Sequence, residues 1–204
     1  MNYRVWQRKR NRQNFNMTPN ELLELFKTRQ SVRAYDTTKP VAKEIILNCL
    51  EAARLAPSAC NAQPWKFIVV DDPDLKNKLA ELTSSKMLGM NHFTMQAPVH
   101  VVIVREKANF SSSVGQVLKD KEYPLIDIGI SAIQFCLQAT AHGLGTCILG
   151  WFNEKGVRNL LGVPHNKRVE LIITVGYPTS NDIRRKIRKD TSEILSFNKY
   201  LEIK

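Results

Sequence analysis

The run Val99-His100-Val101-Val102-Ile103-Val104 constrains the fold more than any other stretch. Its β-branched residues favour a strand, and the near absence of polar alternation implies that the strand is largely buried. Around it the apolar pattern switches between two periods. Trp65 to Val70, Thr146 to Leu149 and Val169 to Val175 read as further strands. Helical spacing links Leu22, Leu25 and Phe26 after the capping box Thr18-Pro19-Asn20-Glu21, and Ile45, Ile46, Cys49, Leu50 and Ala53 within Val41 to Leu55. Asp72-Pro73 caps another helix running to about Ser84, and Asn153 to Leu161 forms a short one ended by Gly162. A longer helix, Leu125 to Ala141, is opened by Pro124 and stopped by Gly143, with Ile126, Ile130, Ile133 and Leu137 along one side. Asp127 in its first turn suits the helix dipole. On periodicity alone, strands separated by helices suggest a parallel α/β sheet.

A chain of 204 residues, 43% of them hydrophobic, can bury one core of ordinary size, and residues 17–204 read as a single domain. No apolar run approaches the roughly 20 residues that span a bilayer, and no apolar signal core opens the chain, so the expected compartment is the cytoplasm. Cys49, Cys60, Cys136 and Cys147 show no C-x-x-C pairing and read as reduced thiols. His92, His100, His142 and His165 lack metal-ligand spacing, which argues against a metal site.

The net charge of +11 is concentrated at two places. Arg4, Arg8, Lys9, Arg10 and Arg12 lie in an acid-free, Asn/Gln-rich segment, 1–16, that reads as a disordered extension. Arg184, Arg185, Lys186, Arg188 and Lys189 form the second cluster. Between them the body is nearly neutral, which fits a tail plus a local anion site better than a nucleic-acid groove.

Two polar stretches stand out. In Arg29-Gln30-Ser31-Val32-Arg33, an extended backbone would put both cations and the hydroxyl on one side. In Ala56-Pro57-Ser58-Ala59-Cys60-Asn61-Ala62-Gln63-Pro64-Trp65, two prolines stiffen a loop crowded with side-chain amides and a hydroxyl. Arg105 to Tyr123 carries no periodicity and is long for a connection, so it reads as a mobile lid or a poorly ordered excursion. His142-Gly143-Leu144-Gly145-Thr146-Cys147-Ile148 is no dinucleotide fingerprint, because Ile148 replaces the third glycine and the segment runs from helix into strand.

Three separated motifs then occur in order: Arg29-x-Ser31-x-Arg33-x-Tyr35, Ala53-Arg54-Leu55-Ala56-Pro57-Ser58-x-x-Asn61-x-Gln63-Pro64-Trp65, and Gly143-Leu144-Gly145-Thr146-Cys147-x-x-Gly150. With Asp127-x-Gly129 and Gly176-Tyr177-Pro178, the chain from Glu21 to Lys199 resembles the FMN-dependent nitroreductase family. The resemblance implies an α+β fold, helices packed on a mainly antiparallel central sheet, in a homodimer with FMN at the subunit interface. It assigns Arg29, Ser31, Lys186 and Arg188 to the phosphate and ribityl end, and Arg33 to the pyrimidine edge of the flavin. Pro57, Ser58, Asn61 and Gln63 would reach the partner's FMN, Gly150 would approach flavin N5 through its backbone amide, and Asn91 is a further candidate contact. Trp65 reads as core or interface.

Cys60 stands where the family commonly has glycine, and Tyr35 where it has phenylalanine. The implied activity passes electrons from NADH or NADPH to a flat acceptor, a nitroaromatic or quinone, by a ping-pong cycle in which the flavin carries the chemistry. Alternatives within the family are reductive dehalogenation and flavin fragmentation. Outside it stands a non-catalytic flavin or nucleic-acid binding protein.

Overall fold

The computed structural model describes residues 17–84, 89–107 and 121–201. The expected disorder of residues 1–16, and residues 108–120 of the unpatterned stretch, lie outside the described residues. The helices are α1 (Pro19–Thr28), α2 (Lys43–Arg54), α3 (Pro73–Thr83), α4 (Tyr123–Ala141), α5 (Glu154–Leu160) and α6 (Thr191–Ile194). The strands are β1 (Trp65–Val70), β2 (Val99–Arg105), β3 (Gly145–Leu149) and β4 (Arg168–Gly176). Capping chemistry sets several starts. Thr18 Oγ1 accepts from the Glu21 amide at 3.2 Å while Glu21 Oε2 accepts from the Thr18 amide at 2.6 Å, and Asp72 accepts from the Leu75 amide at 2.8 Å.

The sheet has the order β1-β2-β4-β3, and every neighbouring pair is antiparallel. This corrects the parallel arrangement suggested by periodicity. The helix between β2 and β3 does bring the chain back in the same direction, but β4 is inserted between those strands and reverses each contact. The continuous apolar run in β2 reflects burial on both faces.

On one face Val101, Ile103, Ile173 and Val175 pack against Ile46, Cys49 and Ala53 of α2 and Ile128, Ala132, Phe135, Cys136 and Ala139 of α4. Trp65 is half-buried against this cluster. On the other face, Val70, Val102, Val104, Ile172 and Leu149 pack against Leu79 of α3, Val157 of α5 and Phe93. Phe135 has no exposed surface, and burial of such a side chain contributes about 1.5–3 kcal/mol.

Helix α4 is 19 residues long with a mean hydropathy of 1.2 over an 18-residue window, enough by length and composition to cross a membrane. Core helices pass the same test. Its buried side is spent on the sheet and α2, as a core helix requires. The stripe read from sequence lies on the opposite side, where Ile126 and Ile133 are exposed and Ile130 and Leu137 half-buried.

His100 is fully buried in β2, paired with Val70 and Thr174 across the sheet, and neither ring nitrogen has a hydrogen-bond partner among the described residues. Burial, reinforced by the charge of Lys76, pushes its pKa down to about 3. The folded chain therefore keeps the imidazole neutral, whereas the unfolded chain takes up a proton below about pH 6.5. Stability from this group is complete above that value and is lost progressively as pH falls towards 3. Urea unfolding between pH 7 and 4 should show a decline on the order of a few kcal/mol that flattens in His100→Leu; an equally steep decline in the variant would refute the assignment.

Candidate functional site

The segment after α1 is extended and hangs on the edge of the sheet. Ser31 bridges Thr146 of β3 in parallel, with the Val32 amide donating to the Thr146 carbonyl at 2.9 Å. Tyr35 bridges Pro178, and the Asp36 amide donates to the Tyr177 carbonyl at 2.9 Å. Two glycines permit this approach. A Cβ on Gly145 would lie 2.6 Å from Val32 Cγ2, and one on Gly176 would lie 2.6 Å from Pro98 Cδ and 3.0 Å from Tyr35 Cδ1. Gly143, at φ 72°, supplies the left-handed residue after α4, so the two glycines of Gly143-Leu144-Gly145 serve different needs.

Tyr35 is buried and its hydroxyl meets Thr174 Oγ1 at 2.7 Å, the bond that a phenylalanine would lack. Burial pushes its phenol well above the ordinary range.

The chain returns past this segment after β4. Gln30 Nε2 donates to the Asp182 carbonyl at 2.7 Å, and the Arg184 amide donates to Gln30 Oε1 at 3.1 Å. The Arg184 guanidinium donates to the Ser31 carbonyl. Lys186 Nζ donates to the carbonyls of Phe26, at 2.9 Å, and Lys27, closing the C-terminal end of α1. Burial, with Arg29 and Arg188 nearby, lowers the pKa of this ammonium.

Between these two segments lies a cleft of about 290 Å³ lined by Arg29, Ser31, Arg33, Arg184, Arg185, Lys186 and Arg188 among its residues. It unites the five cleft residues expected from sequence, and adds Arg184 and Arg185, which sequence reading counted in the basic cluster without giving them a role. No carboxylate lines it, and none of its six cations is in an ion pair among the described residues.

The second stretch forms a separate surface. Cys60, Asn61 and Gln63 all have left-handed backbone, at φ 50°, 51° and 47°. Such conformations cost of order 1 kcal/mol or more in non-glycine residues and persist only when surrounding contacts fix them. Glycine would adopt the conformation at Cys60 without that cost.

Ser58 Oγ accepts from the Gln63 amide at 3.0 Å, and Gln63 Nε2 donates to Asn61 Oδ1 at 3.2 Å. Both oxygens of Asp127 lie 3.2 Å from the Ala59 amide. This corrects the reading of Asp127 as a helix-dipole charge. It lies beyond the first turn of α4, is buried, and holds the loop instead. Ser131, one turn later, donates to the Ala53 carbonyl at 2.9 Å.

Within one chain Pro57, Ser58, Asn61 and Gln63 do not line the cationic cleft. Gly150 is exposed at the end of β3, and a Cβ there would meet nothing within 4 Å. Its own chain therefore does not demand glycine. Asn91, left-handed at φ 59°, spends its amide nitrogen on the Thr83 carbonyl at 3.0 Å and the Trp151 carbonyl at 3.5 Å. Trp151, 49% exposed beside Gly150, was missed from sequence, where only its adjacency to Gly150 could have marked it.

The sequence profile of the nitroreductase family matches residues 26–89 and 82–177. The chain belongs to the nitroreductase family. Among solved nitroreductase-family structures, it is 29% identical to an FMN-dependent nitroreductase of Clostridium difficile, covering 87% of this chain and 99% of that one with a TM-score of 0.69. A nitroreductase family protein of Streptococcus pneumoniae is 25% identical, with coverage of 85% and 98% and a TM-score of 0.72. Iodotyrosine deiodinase 1 of Rattus norvegicus is 30% identical over 200 residues, 85% of this chain and 69% of that protein.

Replacing Asp127 by alanine should strand the Ala59 amide at a cost of about 1–3 kcal/mol. Amide hydrogen exchange should then accelerate at Ala59 and Asn61 more than in β2. Uniform acceleration across the sheet would mean that Asp127 serves general stability and not the loop.

Proposed function

We propose that this nitroreductase-family chain acts as a homodimeric, FMN-dependent oxidoreductase that passes electrons from NADH or NADPH to a flat acceptor such as a nitroaromatic or a quinone. The observation that carries the reading is the acid-free cleft of six cations. A phosphate monoester bears nearly two negative charges, and converging guanidinium and ammonium donors suit it. FMN, when bound, would supply hydride acceptance and donation.

The chain's residues would do the rest. Arg29, Ser31, Lys186 and Arg188 would hold the phosphate and ribityl end, Lys186 keeping a donor beyond its two carbonyl contacts. Arg33 would stabilise negative charge at the pyrimidine edge. The open space at Gly150 admits a ring against its backbone. Asn91, with its nitrogen committed, would offer only its carbonyl oxygen.

The dimer is supported by apolar surface that the chain leaves uncovered. Leu125, Ile126 and Ile133 of α4 and Leu22, Leu23 and Phe26 of α1, which packs beside it, are exposed. The separation of the Pro57–Gln63 loop from the cleft fits a site completed by the partner, with each subunit's Pro57, Ser58, Asn61 and Gln63 facing the other's FMN. The 30% identity to iodotyrosine deiodinase 1 favours a second reading, reductive dehalogenation by the same flavin site.

Purified protein incubated with FMN should turn yellow, bleach with NADH or NADPH under argon, and regain colour with a nitroaromatic; colourless protein would sink the proposal. Iodide release from iodotyrosine in place of nitroaromatic turnover would favour the second reading. Arg29→Ala should weaken FMN binding about tenfold or more, as loss of a charge-assisted hydrogen bond implies, at unchanged unfolding midpoint. Ile126→Glu with Ile133→Glu should yield a monomer that loses FMN, and a monomer with undiminished FMN affinity would overturn the shared site.

A further inference from the structure

We propose that the nitroreductase cleft selects NADPH over NADH, with Arg185 binding the 2′-phosphate of the reductant. The proposal rests on the flavin reading above and begins from its charge balance. Six cations line the cleft and no carboxylate does. One FMN phosphate carries just under two negative charges, so most of the positive charge stays uncompensated after it binds.

The remaining donors can be sorted by what they already touch. Arg184 is held by Gln30 Oε1, 3.4 Å from its Nε, and by the Ser31 carbonyl. Lys186 is held at the end of α1. Arg29 and Arg188 line the same cleft as that ammonium and add to the effect of burial on its pKa, and the flavin reading assigns all three to one phosphate. Arg33 is assigned to the flavin ring. Arg185 alone among the six has neither a hydrogen-bond partner among the described residues nor a role, and it is exposed on the segment that follows β4.

A second phosphate dianion fits that position. A flat acceptor such as a nitroaromatic or quinone brings none. NADH brings only its pyrophosphate, whereas NADPH adds a monoester that a guanidinium can meet with two parallel N–H donors. Placing Arg185 on the segment that also carries Lys186 and Arg188 makes that one segment responsible for both monoesters. The hydride transferred is the same for either reductant, so selection acts on binding.

The test uses FMN-loaded protein and calorimetric titration with adenosine 2′,5′-bisphosphate and with 5′-AMP. The bisphosphate should bind about tenfold tighter, the worth of one charge-assisted contact. Arg185→Ala should bring the two within about twofold, with bound FMN and the unfolding midpoint unchanged, and Arg185→Lys should restore part of the difference. In turnover, Arg185→Ala should raise the KM for NADPH and leave that for NADH in place. Equal affinities in the wild type, or a preference that survives Arg185→Ala, would overturn this inference alone. Protein that remains colourless with FMN would overturn the flavin reading together with it.

Discussion

Helix α4 is apolar on two opposite sides, and each side makes a different demand on the chain. The inner side, with Ile128, Ala132, Phe135 and Ala139, needs the sheet and α2, and their packing closes the larger core cluster. The outer side, with Leu125, Ile126 and Ile133, is left exposed by a single chain. Between the two, Asp127 and Ser131 turn polar atoms towards backbone at the end of α2 and in the loop beyond it. One helix thus joins the core, the loop and an exposed apolar surface.

The two polar stretches are supported in different ways. The Arg29–Tyr35 segment is pinned to β3 and the end of β4 by backbone bonds, and Gly145 and Gly176 make room for it. The Pro57–Gln63 loop lacks such a ladder and keeps its left-handed residues through Ser58, Gln63 and the buried carboxylate of Asp127. Site geometry in this nitroreductase-family chain is therefore fixed largely by contacts behind the presented side chains. A loop ordered in advance loses little entropy when a ligand arrives.

Local chemistry was legible in the sequence. The caps at Thr18 and Asp72, the stop at Gly143 and the strands β1 to β4 follow from residue types and short spacings. Strand direction was not, because two-sided burial gives β2 the same continuous apolar run in either arrangement, and the insertion of β4 is a long-range event. The stripe Ile126, Ile130, Ile133 and Leu137 was the easier one to see on α4. The buried stripe is interrupted by Asp127 and Ser131, whose partners lie far away in sequence. Arg29, Ser31 and Arg33 do line one cleft, but Gln30 between them lines it too, so strict alternation does not describe the segment, and the anchoring of Arg184 and Lys186 on carbonyls depends on two segments about 150 residues apart.

The carbonyl anchors of Arg184 and Lys186 hold like charges together before any ligand neutralises them. Their mutual repulsion is screened by dissolved ions, since the Debye length is about 8 Å at physiological ionic strength. The hold of the segment that carries them on the body consequently depends on the surrounding electrolyte. Crowding of positive charge, which would suit capture of a phosphate, also makes the state of this segment responsive to the anions the solution contains.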